Sequence, residues 1–325
     1  MAEVDEDKIF EAFKQNITSI IDQLKTDNER STESSLERLS QRIQVSNNII
    51  SASVTKLSVL YSKPPYPIRK DTRVIFNQTE QGLVALLSAF YNLGKNDGNL
   101  ICSILKRNII YVCESLLEFV RGMEKLELNE INNNEFRTLT GIVWSRCDAF
   151  AKLPKNNREA IVERLKDELG MIEDASGELA TAQDNESADE FFSDLEDMPE
   201  PETWCESERN IVQAFQKVIE LISSIVQNSI VAVQKSENIT LDMDELYEQC
   251  IKVSPIIDDL VNSAYPPLDK SLLLKNIELL KNEVKKILKE LPSYKFITED
   301  DADWINQYEK DINEHFNDLI QLLSK

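Results

Sequence analysis

Apolar residues recur along most of the chain at spacings of three and four, the rhythm of helices that bury one stripe each. The first stripe, Phe10, Phe13, Ile17, Ile20, Ile21 and Leu24, predicts a helix over about 5–24. A long helix follows over about 32–61, through Leu36, Leu39, Ile43, Ser46, Ile50, Ser53, Leu57 and Leu60. Its two serines thin the seam, so a neighbouring helix is expected to approach closely there. Lys63-Pro64-Pro65-Tyr66-Pro67 ends it, because proline lacks an N–H and restrains the residue before it. Helices over about 71–93, 99–126 and 135–153 follow. Val74, Ile75, Leu83, Leu86, Leu87 and Phe90 point inward on the first of these, and Leu139, Val143, Trp144 and Phe150 mark the last. Gly94 and the turn at Lys95–Gly98 separate two of them, and the asparagines 132–134 break the next junction. A shorter sixth helix carries Ile161, Val162, Leu165, Leu169 and Ile172.

The texture changes from Glu173 to Glu208, which hold fourteen acidic residues and no lysine or arginine. Such a stretch repels itself and has little to bury, so a disordered acidic linker over 174–205 is expected. Helical pattern resumes over about 206–235 with Ile211, Phe215, Val218, Ile222, Val226, Ser229 and Val233. Asn238 and Thr240 are placed to cap the next helix, which carries Leu241, Leu246 and Tyr247.

Residues 253–291 give the strongest architectural signal. Ser254 is placed to act as an N-cap, with Pro255 in the first turn, where a missing N–H costs nothing. Ile256, Ile257, Leu260 and Val261 make an apolar face, and Tyr265-Pro266-Pro267 stops the helix. Leu273, Ile277, Leu280, Val284, Ile287 and Leu291 then keep a bundle or coiled-coil seam. The matching proline corners hint at two halves built alike. A last helix carries Trp304, Ile305, Tyr308, Ile312, Phe316, Leu319 and Leu323. No segment alternates convincingly with period two. The expected fold is all-α: an antiparallel helical bundle over 1–173, the linker, and a second antiparallel bundle over 206–325.

Charge narrows the partners. The chain has 36 basic and 58 acidic residues, a net charge of −22. Such a surface disfavours direct binding to nucleic acid or anionic lipid. No apolar run is long enough for a membrane span, and the acidic start lacks the features of a signal peptide, so a soluble intracellular protein is expected. Cys102, Cys113, Cys147, Cys205 and Cys250 are scattered and odd in number, as suits reduced thiols.

Candidate chemistry is sparse. His315 is the single histidine and has no ligand set around it in sequence. Asp258-Asp259 and Asp300-Asp301 are adjacent helical residues, which do not face one another, and read as helix-start charge. Lys281, Lys285, Lys286 and Lys289 read as a solvated face. There is no glycine-rich phosphate loop and no nucleophile elbow. No catalytic, cofactor or metal residue is assigned, and the expectation is a non-enzyme without a cofactor. Phe191-Phe192 and Leu195 stand out as an aromatic island in acid and are the candidate partner-docking residues, with Ser193 a candidate phosphorylation site.

Several patches in order resemble the cyclin-D-binding protein family, also described as the Grap and cyclin-D interacting proteins. They are Ser254-Pro255-Ile256-Ile257-Asp258-Asp259-Leu260 running into Tyr265-Pro266-Pro267; Val143-Trp144 with Leu153-Pro154-Lys155-Asn156-Asn157; Trp204 before an acidic cluster; and Asp303-Trp304-Ile305. The resemblance implies a talin/vinculin-like helical fold and a regulator without catalytic activity. It implies D-type cyclin, adaptor and helix-loop-helix proteins as partners. It further implies restraint of the cyclin-associated kinase and of helix-loop-helix transcription factors, and a cytoplasmic and nuclear location. The alternative is a talin/vinculin-like cytoskeletal or trafficking adaptor.

Overall fold

In a computed structural model the protein is described over residues 8–26, 36–186, 203–236 and 241–324. Among these residues all regular structure is helical and no strand occurs. The chain forms two compact units, Met1–Asn157 and Arg158–Lys325.

The first unit contains α1 (Ile9–Thr26), α2 (Leu36–Leu60), α3 (Arg69–Tyr91), α4 (Asn99–Glu127) and α5 (Asn133–Ala149). Helix α2 lies between α3 and α5, α4 joins α5 to α1, and α3 touches both α4 and α1. Side-chain pairs fix the directions. Tyr61 and Thr72 share a hydrogen bond of 2.9 Å, and Lys56 donates to Gln78 at 3.3 Å, so α3 runs back along α2. Trp144 donates to Thr55 at 3.2 Å and Thr140 to Ser58 at 3.0 Å, so α5 also opposes α2.

The expected close approach at the thin seam of α2 is present. A Cβ on Gly82 of α3 would lie 2.8 Å from Ile50 Cγ1 and 3.2 Å from the Ser46 carbonyl oxygen. Ser46 and Ser53 are both buried. Aromatic rings fill the core around α1: Phe13 stacks on Phe76 at 4.1 Å, and Phe10 meets Phe76 edge-on at 5.5 Å. Arg69 covers Phe10 at 4.7 Å and makes a two-pronged pair with Glu127 at 2.6 and 2.8 Å, tying α3 to α4.

The second unit contains α6 (Asn157–Glu186, from its second residue), α7 (Glu206–Lys235), α8 (Asp242–Cys250), α9 (Val253–Ala264), α10 (Lys270–Glu290) and α11 (Ala302–Leu323). Helix α11 packs along α7 and α10, and α9 along α10. Asn228 of α7 donates to Tyr308 of α11 at 3.1 Å. The seam expected on α10 is realised, with Leu273, Ile277, Leu280, Val284, Ile287 and Leu291 all buried in the unit's own interior. The Pro64-Pro65 and Pro266-Pro267 bonds are both cis.

The structure differs from the sequence reading at several points. Helix α6 does not stop near residue 172. It runs to Glu186, into the expected linker, and belongs to the second unit rather than to a bundle ending at 173. Ile161, Leu165, Leu169 and Ile172 are buried along it as their spacing requires, and Ala175 and Leu179 continue the stripe where the density of acidic residues concealed it. Ser254 is not an N-cap. It sits inside α9, and its hydroxyl donates to Glu168 of α6 at 2.6 Å, a partner that local sequence cannot show. Leu60, Val74, Trp144 and Leu241 face outward, while Tyr61, Ile75, Val143 and Met243 close by in sequence are buried. Asn238 and Thr240 lie outside the described residues.

Candidate functional site

Helix α4 begins at Asn99 after Gly98, which has no side chain to cap it and sits at φ 105°. Its exposed N–H groups need acceptors. Asn157, fully buried, provides one: its Oδ1 accepts from the Ile101 amide at 3.0 Å, 56 residues away in sequence. A Cβ on Gly98 would fall 1.9 Å from Asn157 Cγ, so glycine is required by contact and by backbone conformation alike. This cap anchors the turn Leu153-Pro154-Lys155 that follows α5.

Between that turn and the first half of α2 the unit opens a groove of about 400 Å³. Buried apolar residues form its floor: Ile43 from α2, Ile101 and Leu105 from α4, Cys147 from α5, and Phe150. Gln44, Asn47, Asn48 and Ser51 of α2 line one side. Asn47 is 7% exposed, and its side-chain carbonyl oxygen has no hydrogen-bond partner in the protein. Burial pushes the Cys147 thiol up to about 11, against the opposing hydrogen bond with Ser51, so it stays protonated and is a poor nucleophile.

A second recess, of about 430 Å³, lies at the proline corner of the second unit, lined by Asp259, Tyr265, Asp269, Leu272 and Lys275 among others. Trp204 closes the corner from behind. It is 3% exposed, its Nε1 donates to the Ala264 carbonyl at 2.7 Å, and its ring stacks on Tyr265 at 6.3 Å.

The residues singled out in the sequence fall as follows. Phe191, Phe192, Ser193 and Leu195 lie outside the described residues. His315 is half-buried on α11. Asp301 forms a reciprocal cap: it accepts from the Thr298 amide at 2.9 Å and hydroxyl at 2.7 Å, and from Trp304 Nε1 at 3.0 Å. Burial opposes its ionisation, but these bonds and the charge of Lys235 more than offset that and hold its carboxyl below the usual range. Lys281 is not simply solvated, since it donates to Asn317 of α11 at 2.9 Å; partial burial and then Lys285 lower its pKa. Among the described residues no group of three or more His, Cys, Asp or Glu is placed to hold a metal, and no helix is long and apolar enough to cross a membrane. The sequence reading missed the groove and its Asn157 anchor. The one available signal was Gly98 before a helix, which leaves the cap to come from elsewhere.

The fold and the recesses define an all-α bundle protein with a neutral, apolar-floored groove in its first unit. The profile described as "Grap2 and cyclin-D-interacting, N-terminal" matches residues 42–185, and "Grap2 and cyclin-D-interacting, C-terminal" matches residues 182–289. The chain belongs to the Grap2 and cyclin-D-interacting family. Its relatives include the Danio rerio protein described as cyclin-D1-binding protein 1 homolog, 28% identical over 271 residues, spanning 79% of this chain and 78% of that one. The Xenopus laevis homolog is 25% identical, over 78% of this chain and 80% of its own length. The human cyclin-D1-binding protein 1 is 19% identical, over 85% and 82%.

Proposed function

We propose that this protein is a non-enzymatic regulator that binds a D-type cyclin and restrains the kinase the cyclin activates. The observation that carries this reading is the match of both halves of the family, together covering residues 42–289, with relatives described as cyclin-D1-binding proteins. The burial of the α10 seam supports a particular version of it: the leucines are spent inside the protein's own unit, so partners are met through outer surfaces and not by zipper exchange. Helix-loop-helix transcription factors are further partners in this reading, and the protein acts in both cytoplasm and nucleus. Phe191, Phe192 and Leu195 serve as docking contacts, modulated by phosphorylation at Ser193.

The test is capture of a purified D-type cyclin by the full chain, followed by assay of the cyclin–kinase complex on a retinoblastoma-type substrate. Saturable binding with reduced phosphorylation is expected. Binding should persist in a His315→Ala variant and weaken when Phe191 and Phe192 are replaced by alanine. A protein that ignores the cyclin but co-sediments with actin filaments would overturn the reading in favour of a cytoskeletal adaptor.

A further inference from the structure

We propose that the outward stripe of α10 is the docking site for the protein's own segment 187–202, which joins Glu186 to Thr203 and lies outside the described residues. Phe191, Phe192 and Leu195 of that segment cover Leu272 and Leu279, and the carboxylates beside them pair with Lys275, Lys286 and Lys289. The contact is a property of the chain alone and does not depend on cyclin binding.

Three observations converge on this occupant. The first is the stripe itself. Leu272, Lys275, Leu279, Lys286 and Lys289 are all exposed, and their spacing places them along one side of the helix, opposite the buried seam. Leu272 and Leu279 are 42% and 45% exposed, while Leu273, Leu280 and Leu288 of the same helix are buried. The helix dipole accounts for Lys286 and Lys289 near the C-terminus, but not for Lys275 or the two exposed leucines. The second is charge. Helix α10 carries six lysines against three glutamates, and among the described helices of this unit it alone is net basic. Among the described residues none of the three stripe lysines makes an ion pair. Segment 187–202 holds seven acidic residues and no basic one. The third is the tether. Trp204, just past the segment, is fixed to the corner between α9 and α10 by its bond to Ala264 and its stacking on Tyr265. Tyr265 lines one recess with Leu272 and Lys275, the first members of the stripe, so the segment leaves its anchor at the foot of the site. Leu272 to Lys289 is about 26 Å of helix. The chain from Phe192 to Trp204 spans up to about 40 Å, enough to follow the stripe to its end. Exposed ion pairs are individually weak. A tether this short supplies an effective concentration of about millimolar, at which several weak pairs and two apolar contacts suffice.

The test places a nitroxide spin label on a Ser193→Cys, Cys205→Ser variant of the full isotope-labelled chain and reads the broadening of backbone amide signals by NMR, with no cyclin present. Loss of signal at Leu272, Leu279, Asn282 and Lys286 is expected, with recovery when the label is reduced. The broadening should fade as salt is raised from about 0.1 M to about 1 M, which shortens the screening length from about 10 Å to about 3 Å. Lys275→Glu with Lys286→Glu, both at exposed positions, should abolish it, and adding Asp194→Lys with Asp197→Lys should restore it. The Asp194→Lys, Asp197→Lys pair alone should also abolish it, which decides the matter should the lysine variants fold poorly. Replacing Phe191 and Phe192 by alanine should weaken it. Unbroadened α10 signals in the labelled parent, broadening indifferent to charge reversal on either side, or failure of the paired reversals to restore it would overturn the proposal. So would equal broadening when the nitroxide and the isotopes are carried by different molecules, which would assign the stripe to the segment of a second copy.

Discussion

The indole N–H of Trp204 donates to the backbone carbonyl of Ala264 at 2.7 Å, across 60 residues of chain. Ala264 is the last residue of α9, where helical carbonyls lose their intrahelical partners. The bond therefore satisfies an acceptor that the Tyr265-Pro266-Pro267 corner cannot, and it pins the approach to α7 against the end of α9. Trp204→Phe keeps the ring and removes the donor, and should cost the second unit about 1–2 kcal/mol. Trp204→Ala removes the buried ring as well and should cost about 3–5 kcal/mol. Urea unfolding followed by far-UV circular dichroism measures both. A Trp204→Phe variant as stable as the parent would show that the hydrogen bond contributes little.

Two helical glycines should respond with opposite signs to the same change. Gly82→Ala drives a methyl into Ile50 and the Ser46 carbonyl and should destabilise by about 1–3 kcal/mol, despite alanine's better helix propensity. Gly141→Ala meets nothing within 4 Å on α5 and should stabilise by about 0.5–1 kcal/mol. Thermal melting of the two variants beside the parent chain gives the comparison.

The Asp301 cap predicts a defined acid response. Its folded carboxyl is held below the ordinary value of about 4, so its stabilising contribution is complete above that value. The contribution is lost as pH falls through the lowered folded pKa. Asp301→Asn should therefore be less stable than the parent by about 1 kcal/mol at pH 7. The gap should close as pH drops from about 4 to 2, which a series of urea titrations across that range would show.

Thiol reactivity should separate the five cysteines. Cys205 is exposed, while Cys102, Cys113, Cys147 and Cys250 are buried. Desolvation raises Cys113 and Cys250 to about 12 and Cys147 to about 11. A disulfide reagent such as Ellman's should modify one thiol quickly under native conditions and the rest only in denaturant. Cys205→Ser should abolish the fast phase.

What could be read ahead of the structure was whatever depends on local period. The stripes of α7, α10 and α11, and that of α2 from Ile43 to Leu57, stand where the apolar spacing puts them, and the proline corners end their helices as the missing N–H requires. Two kinds of information were hidden. One is which of two adjacent apolar residues faces in: Leu60 and Tyr61 fit the same stripe, and it is the tyrosine that meets the Thr72 hydroxyl and the rings of Phe10 and Tyr66. The other is every contact between residues far apart in sequence. Ser254 looked like a cap until Glu168 supplied a better partner, and Asn157 gave no sign of serving a helix that begins 58 residues earlier at Asn99. The groove belongs to this second class, because its walls come from α2, α4 and α5, which adjoin only when folded.

Helix α6 has a consequence for how this family is to be divided. The N-terminal profile ends at residue 185 and the C-terminal one begins at 182, so the written halves of the family meet at the end of α6. The physical halves part at its beginning, between Asn157 and Arg158. Kinship and cohesion thus draw their borders almost one whole helix apart. A researcher who splits the gene at the written border would hand the first fragment a sticky rod and leave the second with a trench where Leu165, Leu169, Ile172 and Leu179 had lain.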